Sequence, residues 1–187
     1  MLAVVGKVRI TDRFEPHPAV AIHVDRWVAG LASELDKVCG YTEVDLEGRF
    51  DHLRSQETNV ANFVADIIRT EYTNVDLVML NTGTLRSNAR VPPGPLRRRF
   101  VADMLPMKDK IFLLKMPGHI VKDMLENAVS LYPKLDGRFP ALSGCRLTFD
   151  AAEPPGSRIS PEHLRDGEDV PLDPQKEYVV AVKEYIA

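Results

Sequence analysis

Asp76-Leu77-Val78-Met79-Leu80-Asn81-Thr82-Gly83-Thr84-Leu85-Arg86 is the stretch that decides the fold. Leu77 to Leu80 is a continuous apolar run, too short for a helix and closed by turn residues, which reads as a strand buried on both faces. In open α/β sheets, ligands dock in the loops at the carboxyl ends of such strands. Gly83 lets the backbone come close to a ligand. Asn81 offers both a donor and an acceptor, and Arg86 a planar fork suited to phosphate, carboxylate or vicinal hydroxyls. On these residues alone, a plain Asn-x-Gly turn stands beside that reading.

On the amino-terminal side, a helix follows Ser55, with Val60, Phe63, Val64, Ile67 and Ile68 as its apolar face. Arg54-Ser55-Gln56-Glu57-Thr58-Asn59 stands at its start, where unpaired N–H groups favour an anionic or polyhydroxylated ligand. A simple cap at Ser55 or Thr58 is the competing reading. Tyr41–Leu46 alternates as a half-buried strand. Before it, Val20, Val24, Trp27, Val28, Leu31 and Leu35 recur at helical spacing, and Gly40 ends that helix. The stripe of Val20, Val24, Trp27, Leu31 and Leu35 is expected to face the body of the domain. Val4–Ile10 is β-branched and reads as a strand.

On the carboxyl side, Pro92-Pro93-Gly94-Pro95 marks a loop and Leu96–Leu105 a short helix stopped by Pro106. Lys110–Met116 reads as a strand. Pro117-Gly118 then opens a helix bearing Ile120, Val121, Met124, Leu125 and Ala128. Short strands near Cys145–Phe149 and Tyr178–Val182 bracket a loop rich in Pro, Gly and Asp. Helices and strands without strict βαβ alternation predict an α+β fold with mixed sheets.

The 187 residues are enough for one well-filled domain, and a composition of 44% hydrophobic and 27% charged residues is that of a globular chain. With 24 Lys+Arg against 27 Asp+Glu the net charge is -3, which argues against a globally basic nucleic-acid binder. Arg97-Arg98-Arg99 reads as a solvated helix face. No apolar run has the length of a transmembrane helix. Cys39 and Cys145 read as two reduced, buried thiols rather than a bridge or a metal site. His17, His23, His52, His119 and His163 stand in no spacing that would share a metal. No Gly-x-Ser-x-Gly or P-loop motif occurs. The sequence therefore predicts no catalytic and no metal-ligating residue in this chain.

Several motifs in order carry a resemblance. Leu53-Arg54-Ser55-Gln56-Glu57-Thr58-Asn59-Val60-Ala61-Asn62-Phe63, Leu80–Arg86 and Leu105-Pro106-Met107 are similar to the C-terminal domain of the 5′-nucleotidase family. Gly118, Leu125-Glu126-Asn127-Ala128-Val129-Ser130, Gly137-Arg138-Phe139-Pro140, Ser143-Gly144, Leu172-Asp173-Pro174 and Tyr178–Val182 continue the series. The resemblance implies a four-layer α/β/β/α sandwich with mixed sheets. Residues 1–46 would form a connecting strand, a linker helix and the first domain strand, and 47–187 the domain, truncated at its carboxyl end.

It further implies a substrate-recognition domain of a phosphoesterase acting on nucleotides or related phosphate esters. Two divalent metals would lie in an N-terminal catalytic domain absent from this chain, so the chain alone is expected to be inactive. The implied substrate-binding residues are Arg54, Asn81, Gly83, Arg86, Met107, Asp109 and Tyr185. The two arginines would hold the ribose or phosphate side, Asn81 would lie near the base, and Tyr185 would stack on it. Met107 stands where the family has an aromatic, and Thr82 and Thr84 replace loop glycines. The implied partners are a nucleoside or nucleotide-like molecule and the catalytic domain. A homodimer is left open, as is a second reading: a non-catalytic ligand-binding or dimerisation module of a diverged member. Family members are commonly periplasmic, secreted or surface-anchored, which leaves the compartment of this one unknown.

Overall fold

The computed structural model describes residues 6–187. Its elements, in order, are α1 (Pro18–Leu35), β1 (Val38–Thr42), β2 (Leu46–Glu47), α2 (Phe50–Leu53) and α3 (Asn59–Glu71). Then come β3 (Leu77–Asn81), β4 (Arg90–Val91), β5 (Gly94–Arg97), α4 (Arg98–Met104), β6 (Ile111–Pro117) and α5 (Gly118–Val129). The chain closes with β7 (Pro140–Ser143), β8 (Cys145–Leu147), β9 (Leu164–Asp166) and β10 (Glu177–Lys183). It divides into two units, Met1–Lys37 and Val38–Ala187.

The second unit is built on a four-stranded mixed sheet in the order β6-β10-β3-β7. β10 runs parallel to β3 and antiparallel to β6, and β7 is antiparallel to β3. Because side chains alternate along a strand, β3 and β10 each feed two cores. Val78, Leu80 and Ala181 join one cluster with α3, together with Leu46 and Leu96 from small sheets. Leu77, Met79, Tyr178, Val180 and Val182 join the other, with α5 and Leu164. Three two-stranded antiparallel sheets, β1-β5, β2-β4 and β8-β9, complete an α+β sandwich with mixed sheets.

Helix α3 buries Val60, Ala61, Val64 and Ala65, while Phe63 is 39% and Ile67 52% exposed. The buried stripe is thus turned from the expected one. Two alanines let the helix axis approach β3 and β7 closely, and the larger side chains are left outside. Helix α5 begins one residue later than expected, with Pro117 as its N-cap at the end of β6.

Three further expectations are corrected. Gly40 does not end a helix: α1 stops at Leu35, and Gly40 lies in β1 opposite Leu96, so that strand starts earlier and ends at Thr42. Gly6–Ile10 is not strand, while Val4 and Val5 lie outside the described residues. Finally, Cys39 is an exposed thiol, and only Cys145 is largely covered.

Candidate functional site

Strand direction brings the chemistry to one end of the sheet. β3 and β10 are parallel, so their carboxyl ends, Asn81 and Lys183, lie at the same edge. In the antiparallel neighbours, Ile111 pairs with Lys183 and Pro140 with Asn81, which brings the segments preceding β6 and β7 to that edge too. There they enclose a half-open cavity of about 620 Å³. Asn81, Gly83, Arg86, Met107, Asp109 and Tyr185 all line it.

Arg54 is not among the residues that line this cavity. It is the C-cap of α2, and its guanidinium carbon lies 4.2 Å from the Phe50 ring centroid. Its Nε is buried without a hydrogen-bond partner, as is the Thr58 hydroxyl at the N-cap of α3.

The loop after β3 is held by backbone contacts that require small residues. The Gly83 N–H donates to the Gly137 carbonyl at 2.7 Å. A Cβ on Gly83 would lie 3.1 Å from both the Cα and the carbonyl oxygen of Gly137, and one on Gly137 would lie 3.0 Å from the Gly83 Cα. These two glycines press the loop against the segment preceding β7, which makes that wall of the cavity.

The polar side chains of the wall form a continuous chain. The Asn81 amide donates to the Gly137 carbonyl at 3.3 Å, and its Oδ1 accepts from the Thr84 hydroxyl at 3.0 Å. The Thr84 oxygen accepts in turn from Lys183 Nζ at 3.1 Å. Lys183, 5% exposed, pairs with Asp109 Oδ2 at 2.5 Å. An ammonium so covered requires a counter-ion, and Asp109 provides it. Thr84 thus links the lysine to Asn81.

In the same segment preceding β7, Arg138 donates to Asp136 Oδ1 at 3.2 Å and reaches Asn127 Oδ1 at 3.3 Å and Ser130 Oγ at 3.2 Å at the end of α5. The Asp136 carboxyl is held below its ordinary value, first by the backbone N–H of Arg138 and then by the guanidinium. Met79, Met124 and Ile186 supply apolar surface, and Met107 and Tyr185 are 42% and 77% exposed.

Thr84, Asn127, Asp136, Arg138 and Lys183 were not marked as site residues by the sequence reading. Arg138 stood in the motif Gly137-Arg138-Phe139-Pro140, but nothing in the sequence pairs it with α5. Lys183 looks like an ordinary strand-end charge until Asp109 is placed beside it.

The sheet topology and the cleft at the carboxyl ends of its parallel strands put the chain among mixed-sheet α+β sandwich domains. The family model of the 5′-nucleotidase C-terminal domain matches residues 38–187, and the chain belongs to this family.

Among similar proteins, the trifunctional nucleotide phosphoesterase protein YfkN of Bacillus subtilis is 26% identical over 182 residues, covering 95% of this chain and 12% of the relative. The 5′-nucleotidase of Homo sapiens is 24% identical over 152 residues, 76% of this chain and 26% of its own length. The crystal structure of the 5′-nucleotidase precursor from Thermus thermophilus superposes with a TM-score of 0.80 and 28% identity, covering 92% of this chain and 34% of that one. The Haemophilus influenzae NAD nucleotidase shares the fold, with a TM-score of 0.68 and 22% identity over 91% of this chain and 32% of that one. The chain thus spans between an eighth and about a third of these relatives.

Proposed function

We propose that this chain is the substrate-recognition domain of a 5′-nucleotidase-like phosphoesterase, and that the cavity at the end of the sheet takes a nucleoside or nucleotide. The observation that carries the reading is convergence. Asn81, Gly83 and Arg86 from one loop, Met107 and Asp109 from a second, and Tyr185 from a third line one cleft. In this reading Met107 and Tyr185 pack on the two faces of the base. Arg86, an exposed side chain lining the cavity, takes ribose or phosphate oxygens. The relatives whose names describe nucleotide phosphoesterase or 5′-nucleotidase activity support the same ligand class.

Arg54 enters the proposal differently from the other six. It is not on the cavity wall, so any ligand contact it makes is through atoms of the ligand that extend beyond the cleft.

Among the described residues, no group of three or more His, Cys, Asp or Glu side chains is placed to hold a metal ion. The two divalent metals of a phosphoesterase fit no residues here, and no step through them is derived. The reading assigns hydrolysis to a catalytic domain outside these residues, with this domain presenting the nucleotide to it.

The test is an NMR titration of the chain with AMP, adenosine and ribose phosphate. Two charge-assisted contacts and one stacked ring in a wet, half-open cleft leave about 4 kcal/mol after the cost of association, a Kd near the millimolar range. Shifts should concentrate at 81–86, 107–109 and 183–186 and weaken strongly in Arg86→Ala. Shifts spread evenly over the surface, or unchanged in Arg86→Ala, would overturn the proposal.

A further inference from the structure

We infer that a groove on the far side of Arg86 from the cavity is a second subsite, and that it takes the second ring of a nucleotide joined through a diphosphate to another ring. The inference rests on the reading of the cavity as a nucleotide site and extends it to a surface that reading does not use.

Arg86 lines two hollows at once. One is the cavity at the end of the sheet. The other is an open groove of about 650 Å³ lined from β4, β5 and α4, with Val91, Leu96, Phe100 and Pro106 among its apolar residues. The same two chain segments form the ridge between them. Thr84 and Met107 line the cavity, whereas Ser87 and Pro106 line the groove. The segments are strapped together by the Arg86 N–H, which donates to the Met104 carbonyl at 2.9 Å.

Charge and polarity then define the ligand. The groove lining carries Arg86, Arg97 and Arg99 against one carboxylate, Asp103, in a chain whose net charge is -3. Arg97 and Arg99 are engaged within the protein, so they enter here as positive field. Arg86 is exposed, and its planar fork suits phosphate oxygens. A ligand that reaches from the cavity into the groove passes Arg86, where an anionic bridge is matched in charge. Beyond it the apolar lining suits the face of a flat ring better than a further phosphate. A diphosphate between two ring systems has its parts in that order. A second copy of this acidic chain is the competing occupant. Continuity with the cavity through one shared side chain favours the ligand.

The experiment titrates the chain with AMP, ADP and diadenosine diphosphate, following the amide signals of residues 81–86 and 107–109 for the cavity and 87–91 and 96–103 for the groove. ADP carries the second phosphate without the second ring. Diadenosine diphosphate should bind about tenfold more tightly than AMP or ADP, beyond the roughly twofold that two equivalent adenosine ends give by statistics. Groove signals should move with this ligand alone.

Ala102 is exposed and lines the groove, so Ala102→Gln narrows it without changing its charge. In that variant the preference for diadenosine diphosphate over AMP should fall to about twofold. If the variant loses a native-like amide spectrum, the three ligands compared on the unsubstituted chain decide the matter. A preference of about twofold or less on the unsubstituted chain, or ADP bound as tightly as diadenosine diphosphate, overturns the subsite and leaves the nucleotide reading standing. Groove signals that move with protein concentration instead of ligand place a second copy there and overturn it as well. Binding of none of the three overturns both readings.

Discussion

Glu126 ties the long loop after β8 to the helix that floors the cavity, and replacing it with glutamine should cost about 3 kcal/mol. The side chain is 4% exposed on α5. Its Oε2 accepts the Arg158 N–H at 3.1 Å, and its Oε1 accepts the Ile159 N–H at 2.8 Å and faces Lys122 Nζ at 3.4 Å. The Arg158 guanidinium then donates to the carbonyls of Val129 and Tyr132, closing the carboxyl end of the same helix. Glutamine keeps one acceptor and turns an NH₂ toward the second backbone donor. One buried N–H is left unpaired, at roughly 1–3 kcal/mol, and the remaining bonds lose their charge assistance, at about 1 kcal/mol. Urea unfolding followed by circular dichroism should show a loss of ~3 kcal/mol with an unchanged slope. Met124, Asn127 and Ala128 lie on the same helix, so their amide signals should broaden or shift. A loss below about 1 kcal/mol would refute the reasoning, because it would mean that water or another group satisfies the loop in place of Glu126.

Gly118→Ala should destabilise by about 2–3 kcal/mol in the same assay, since the new Cβ would lie 2.2 Å from the Asp173 carbonyl oxygen and force backbone movement. A neutral outcome would place Asp173 differently. Burial pushes the Cys145 thiol up to about 12, so a thiol reagent at mildly alkaline pH should label Cys39 quickly and Cys145 only on unfolding. Rapid labelling of both would contradict the packing. The Glu47 carboxyl is held down at about 2, chiefly by hydrogen bonds from the Arg49 side chain. A depressed folded value stabilises above the unfolded value of 4.5 and is lost as pH falls toward 2. The urea midpoint of Glu47→Gln should therefore lie below that of the unsubstituted chain at neutral pH and converge with it toward pH 2. Parallel profiles would remove Glu47 from the acid response.

Three strands of the main sheet, β3, β6 and β10, and the loop after β3 were legible because their signal is local, whereas the fourth, β7, is four residues opened by Pro140 and was not. Leu77–Leu80 is apolar without a break, and a run of that kind belongs inside a sheet whatever surrounds it. The strands β2, β4 and β5 were not legible, since two to four residues carry no period and Pro92, Pro93 and Pro95 stand between or within β4 and β5. For α3, a reading by size chose Phe63 and Ile67 over Ala61 and Ala65. The sheet surface selects the opposite way, because a close helix approach favours alanine. The exposed stripe of α1 shows the limit of amphipathicity: the period identifies a helix, not what covers it. At the site, six residues named from motifs line one cavity, whereas Arg54 does not line it. Lys183 was invisible because its meaning depends on Asp109 and Thr84, which reach it only when parallel β3 and β10 end together.

The central claim, that this cavity holds a nucleoside or nucleotide, is tested most directly by a crystal structure of the chain soaked with AMP at tens of millimolar, well above the expected Kd of about 1 mM. The account predicts density for the base between Met107 and Tyr185 and ribose or phosphate oxygens within hydrogen-bond distance of Arg86. A clear cavity at that concentration, or AMP seated only elsewhere on the molecule, would contradict it.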